Sequence, residues 1–237
     1  MKYTEIYHFH HPHHKLRFEN SEIPFKCDGC KEVGIGSCYK CCSICDYDLH
    51  MQCALPSPTL FHPFYRKCNF QFMSQPPGDT PRYCNACEKD VNGFVYHCRS
   101  CGYDLHPCCA KLPMVLDDGE VKLYLYRKVR SSWCHHCGRK GGSWSYRSKC
   151  KSYNLHVACV REMLMENWHH IYAGGGRDVV VPGLKNSMQS AHNNRKGKKV
   201  KKRCCEIAAM ALQIVISALL GDPTPLIATT VASLMSN

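Results

Sequence analysis

The sequence predicts a tandem of small zinc-stabilised β-rich modules, followed by a basic linker and an apolar helical tail. A six-ligand pattern recurs at intervals of about fifty residues. It reads Cys27-x2-Cys30, Cys42-x2-Cys45-x4-His50-x2-Cys53, then Cys84-x2-Cys87, Cys98-x2-Cys101-x4-His106-x2-Cys109. A reduced third copy keeps Cys134-x2-Cys137, Cys150 and His156-x2-Cys159. The 237 residues hold 20 cysteines and 15 histidines, more than an ordinary core uses. Short polar-apolar alternations, Lys15 to Phe18, Phe94 to Tyr96 and Val121 to Tyr126, mark strands, while Pro56, Pro58, Pro63, Pro76, Pro77, Pro81 and Pro113 break the joins.

A two-residue gap between cysteines lets one tight turn present both thiolates to a single ion, so the pattern favours zinc over disulfides. The first fifteen residues are polar and histidine-rich with no apolar core of a signal segment, which agrees with a reducing compartment. A module of this size buries too little apolar surface to fold alone, whereas a structural zinc site supplies on the order of 10 kcal/mol. Metal-free modules are therefore expected to be unfolded.

In the first module Cys27, Cys30, His50 and Cys53 form one expected site. Two pairs cannot share one His and Cys, so an interleaved second site is expected from Cys42 and Cys45 with His14 upstream and His62 downstream. Cys41 is the competing ligand, and the x2 spacing favours Cys42. His8, His10, His11 and His13 are read as surface residues of an N-terminal arm in preference to an extension of a metal site, Cys38 and Cys108 as spare small residues, and His135, His136, His169 and His170 as non-ligands. Tyr47, Tyr103 and Tyr153, each three residues before the closing histidine, are read as packing residues.

The phrases Cys27-Asp28-Gly29-Cys30, Cys45-Asp46-Tyr47-Asp48-Leu49-His50 and Cys109-Ala110-Lys111-Leu112-Pro113, with His14-x12-Cys27, resemble the plant divergent C1 (DC1, cysteine/histidine-rich C1) family. The likeness runs to about residue 170, and the ensemble is similar to the VACUOLELESS GAMETOPHYTES-like members. It implies the C1 fold, a small β-structure plus a short helix around two interleaved zincs.

On that pattern the second module's first histidine falls on Cys68. Its outer site is Cys84, Cys87, His106 and Cys109. Its inner site, Cys68, Cys98 and Cys101, lacks a partner that Asp117, Asp118 or water would supply. The third module keeps Cys134, Cys137, His156 and Cys159, but has Ser148 and Lys151 where the inner cysteines align. Four or five zinc ions per chain are expected, and with them an architectural role. The expected divisions are 8–62, 63–118 and 119–172 for the modules, 173–203 for a basic flexible linker and 204–237 for the tail.

Of the formal +12, Arg195 to Arg203 supply seven positives in nine residues, which assigns the basic character mainly to the tail. Lys198, Lys199, Lys201, Lys202 and Arg203, directly before Cys204 and Cys205, read as a peripheral membrane anchor: basic residues attract an anionic leaflet and juxtamembrane cysteines are acylation candidates. The apolar run from Ile207 to Leu220 would form a helix of roughly 21 Å, short of the ~30 Å hydrocarbon core. It is expected to lie in the interface or to re-enter, the competing reading being a hairpin folded on protein. The expected function is a non-enzymatic interaction or signalling protein with protein partners and membrane lipid through its tail, cytoplasmic and peripheral to endomembranes. The alternative is a nuclear zinc protein that binds nucleic acid through the basic run. Neither the ligand of the modules nor the oligomeric state is legible.

Overall fold

A computed structural model of the chain describes residues 4–41, 45–117, 119, 121–163, 215, 216, 218 and 219. Three four-stranded sheets follow one another, all of their paired strands antiparallel. The first has the order β1 (Glu5–His8), β2 (His11–Lys26), β3 (Val33–Cys41), β4 (Asp48–His50). The second repeats it with β5 (Thr59–Leu60), β6 (Phe70–Met73), β7 (Val95–His97), β8 (Asp104–Leu105). The third does so with β9 (Val115–Asp117), β10 (Lys122–Tyr126), β11 (Ser145–Ser148), β12 (Asn154–His156). One-turn helices, α1 (Met51–Ala54) and α2 (Pro107–Ala110), follow the first two sheets, and residues 157–163 are helical after the third.

The alternation in the sequence becomes a repeated core. Leu16, Phe70 and Leu123 are fully buried on equivalent strands. Tyr39 pairs with Leu49, Tyr96 with Leu105 and Tyr146 with Leu155, and all six are at most 2 % exposed. The hydroxyls of two of these tyrosines tie down the join ahead of their sheet: Tyr96 donates to Ser57 O at 2.9 Å and Tyr146 to Pro113 O at 2.8 Å.

The pairing places both joins upstream of where the sequence reading put them. β5 precedes residue 63 yet belongs to the second sheet, and β9 precedes residue 119 yet belongs to the third. The described modules divide after Leu112 into two compact units, the first holding two sheets and the second holding one.

Within the first unit the two modules meet at glycine. Phe94 N donates to Gly29 O at 2.8 Å, and a Cβ on Gly93 would lie 2.0 Å from that same carbonyl oxygen. A Cβ on Gly29 would strike the Phe94 ring at 2.5 Å. Phe94 in turn stacks on Phe9 of the first module and meets Phe72 of the second edge-on.

The tail expectations fall almost wholly outside the described residues. Val215, Ile216, Ala218 and Leu219 are helical and buried, and the linker, the basic run, Cys204 and Cys205 lie beyond what is described. No helix among the described residues is long and apolar enough to cross a membrane.

Gly93→Ala should destabilise the zinc-loaded protein by about 1–3 kcal/mol, the usual cost of forcing extra atoms into a close contact. An unchanged thermal unfolding midpoint would show that the two modules do not depend on this approach.

Candidate metal centre

Each Cys-x2-Cys turn is built the same way. The amide four residues on returns to the first cysteine's carbonyl: Lys31 N to Cys27 O, Glu88 N to Cys84 O and Gly138 N to Cys134 O, at 2.8, 2.8 and 2.9 Å. The donating residue adopts positive φ, 64°, 59° and 62°. Glycine takes that conformation freely, but Lys31 and Glu88 pay for it in steric strain, which the turn geometry demands. The closing histidine's amide then points at the first thiol, 3.4 Å from Cys27, Cys84 and Cys134 Sγ in turn.

These turns bring together three four-ligand clusters, Cys27/Cys30/His50/Cys53, Cys84/Cys87/His106/Cys109 and Cys134/Cys137/His156/Cys159, each with its ligand atoms within 4.8 Å of one another. Histidine Nδ1 faces the thiols in each, 3.3 Å from Cys30, 3.4 Å from Cys87 and 3.4 Å from Cys137. Tetrahedral zinc with bonds of about 2.3 Å separates its sulfurs by about 3.8 Å, so these donor sets fit the ion. In the second cluster His106 Nε2 lies 3.0 Å from Asp90 O and 3.5 Å from Glu32 of the first module, partners that fix the ring orientation.

One thiol in each set is held acidic. Burial pushes Cys27 and Cys84 up, but hydrogen bonds from neighbouring cysteines and the charge of the histidine outweigh it and leave both well below the ordinary thiol range. For Cys134 a hydrogen bond from Cys159 overcomes burial and brings the thiol down to about 3. A thiolate is the form that binds metal. No disulfide joins the described cysteines.

The first module's inner cluster differs from expectation in two of its members. His11, His14, Cys41 and Cys45 converge, with His14 Nδ1 3.2 Å from Cys45 Sγ. Cys42 lies outside the described residues. Cys41 is delivered because β2 and β3 pair Leu16 with Cys41, which sets that thiol beside the His14 end of β2. His11, read from sequence as a surface residue, stacks on Tyr47 at 4.4 Å and takes the place assigned to His62.

His62 belongs to the second module, as the counterpart of His8. Phe64 N donates to His62 Nδ1 at 3.2 Å, just as His10 N donates to His8 Nδ1 at 3.3 Å. Both rings are buried, and His8 Nε2 reaches Cys53 O at 3.2 Å. The sequence carries a signal for this: His8-x2-His11-x2-His14 aligns with His62-x2-Tyr65-x2-Cys68.

That alignment also accounts for the second module's missing ligand. Cys68, Cys98 and Cys101 converge as a three-ligand cluster, and Tyr65 stands where His11 stands in the first module, its ring against Tyr103 at 4.9 Å where His11 lies against Tyr47 at 4.4 Å. Burial, with hydrogen bonds that the Cys68 thiol donates to Cys101 and Cys98, raises Cys68 to about 12. Burial also opposes ionisation of Cys98, but donors led by Ser100 bring it to about 7. Asp117 is engaged by Lys122 within the third sheet, and Asp118 lies outside the described residues.

In the third module no inner cluster forms among the described residues. Cys150 is exposed and bonded to Ser148 and Ser152, while Tyr153 is buried against His135 at 4.8 Å. His135 accepts the Asn154 amide through Nδ1, the place that Asp28 and Asn85 fill in the other modules, so it is a positioning residue. Cys38 is buried and donates to Glu19 O; Cys108 is buried beside Cys109.

The family model of the C1 domain matches residues 9–54 and 62–110. The chain thus carries tandem C1-like cysteine/histidine-rich domains, β-rich, with few helices and with clusters suited to zinc, and the second match begins at His62. No solved structure matches the chain.

His11→Ala should remove one zinc from the native mass spectrum of the purified protein, whereas His62→Ala should leave the count unchanged. The reverse pattern would return His62 to the metal. Burial lowers His62 from 6.5 to about 4. The unfolded chain therefore takes up the proton first, so the stabilisation by the neutral ring is complete above pH 6.5 and is lost as the pH falls toward 4. The stability difference between the wild-type chain and His62→Gln should narrow across that window in denaturant titrations.

Proposed function

We propose that the protein is a non-enzymatic, zinc-dependent interaction protein whose C1-like modules dock protein or lipid partners at endomembranes. The observation that carries this reading is the closure of the metal sites: the three outer clusters each gather four ligands, and all but one of these twelve residues are buried. Catalytic zinc keeps an exchangeable position, whereas a set of four protein ligands cross-links the chain. Zinc in these sites would supply architecture, and contact chemistry is left to the surface. Tyr7, Phe9 and Phe61 of the first unit are 68 %, 57 % and 73 % exposed, an apolar offering suited to partner recognition.

Membership of the plant divergent C1 family, near the VACUOLELESS GAMETOPHYTES-like proteins, is part of this reading and rests on the motif phrases quoted above. So does the tail as anchor, which rests on the polybasic run abutting Cys204 and Cys205. Flotation of the protein, expressed in eukaryotic cells, with anionic vesicles tests it. Membrane recovery should fall several-fold on Cys204→Ser/Cys205→Ser and be abolished when residues 204–237 are removed. Unchanged recovery would sink the anchor.

A further inference from the structure

The +5 left outside the basic run conceals an asymmetry. Residues 1–62 carry six basic and seven acidic side chains, and residues 63–120 the same again. Residues 121–161 carry ten basic side chains and no acidic one. Residues 113–163, which span the third module, hold those ten basic side chains against four acidic ones, so the module is strongly cationic, and it is folded.

Five of these cations are gathered on one surface. The loop after β10 and the turn after Cys137 are joined by Gly141 N donating to Val129 O at 2.9 Å. This places Arg127, Lys128 and Arg130 beside Arg139 and Lys140, and all five are exposed. Between them stands Trp133, 55 % exposed, with Lys140 Nζ 4.5 Å from its ring centre. Arg147 braces the patch from β11: its guanidinium lies 4.3 Å from the Tyr126 ring centre and donates to Ser131 Oγ at 3.0 Å.

From this patch we propose that the third module binds single-stranded nucleic acid, with phosphates on the arginines and lysines and an unstacked base on Trp133. A folded surface that holds so many like charges repels itself, and a polyanion relieves it. The exposed Trp133 ring, with the Lys140 ammonium against it, supplies the stacking platform that the polybasic tail lacks. Double-stranded DNA is read by a helix or β-ribbon in a groove, and this surface is made of loops. A membrane surface fits less well: Trp133 and Val115 are the exposed large apolar side chains described in this unit, and Val115 lies apart on strand β9.

This inference stands apart from the proposed docking role of the first two modules, and the two fail in different assays. Fluorescence anisotropy of the zinc-loaded full chain would use labelled oligouridylate and oligothymidylate of roughly 15 nucleotides, with a duplex of equal length. The single strands should bind, and whichever of the two binds more tightly names the RNA or DNA source. Arg130→Gln/Arg139→Gln/Lys140→Gln should weaken binding by more than tenfold and reduce the slope of log affinity against log salt by about 2. Trp133→Ala should weaken it by about tenfold and leave the slope unchanged. Native mass spectrometry of each variant should show the wild-type zinc count, which separates lost binding from lost folding. The proposal is overturned if the triple variant binds as tightly as wild type, if only Lys198→Gln/Lys199→Gln/Lys201→Gln/Lys202→Gln abolishes binding, if the duplex binds more tightly, or if the triple variant instead loses flotation with anionic vesicles.

Discussion

Thiolates confined to a small buried volume repel one another unless a cation lies between them, and the rest of this fold depends on that constraint. Each outer cluster gathers three sulfurs and an imidazole within 4.8 Å. Around them stand strands of two to five residues in the second and third sheets and two helices of a single turn, elements far below the length at which they persist alone. Protonated, the sulfurs form a weak set of hydrogen bonds. Ionised around a dication, they become covalent-strength links between the turn that follows the second strand of each sheet and the helix at the module's end. The repeated hydrogen bonds of the turns, conserved in geometry across three copies, serve to aim those sulfurs.

The parts of the site that local geometry determines were legible in the sequence. Cys-x2-Cys is a turn, and His-x2-Cys is the junction of a short strand with a single helical turn, so spacing alone picks out the residues that the outer clusters gather. The inner ligands are set by strand register. Cys41 is placed by its pairing with Leu16, across more than twenty residues of chain, and a spacing rule that prefers x2 cannot see it. His62 misled because it follows the first module in sequence while β5, just before it, pairs into the second sheet. The x2 periodicity of His8, His11 and His14 was the available signal, and it became informative only beside His62, Tyr65 and Cys68.

The inner sites thin out along the chain while the topology does not change. Four ligands in the first module become three with Tyr65 in the fourth place, then one exposed cysteine. The outer cluster and the sheet are thus a sufficient framework, and the inner cluster reinforces its edge. Where that reinforcement is gone, packing takes over. Tyr153 is 5 % exposed, and Ser148 Oγ accepts the Tyr153 amide at 3.0 Å in the turn that would otherwise present two thiolates. Full burial of large apolar side chains is worth roughly 1.5–3 kcal/mol each, a partial substitute for a metal link at the edge and none for the one at the centre.

Losing the inner site also leaves the turn cationic. A Cys3His zinc centre carries a net charge of about −1, set by three thiolates against one dication. In the third module the aligned cysteine positions are Ser148 and Lys151, so a thiolate has become an ammonium. Lys149 flanks it and both are exposed. The remaining outer centre cancels only about one of the ten cations between Val121 and Arg161. Lys149 and Lys151 therefore stand on a turn that gathers no second metal cluster among the described residues, while the outer cluster fixes the strand β12 onto which that turn leads.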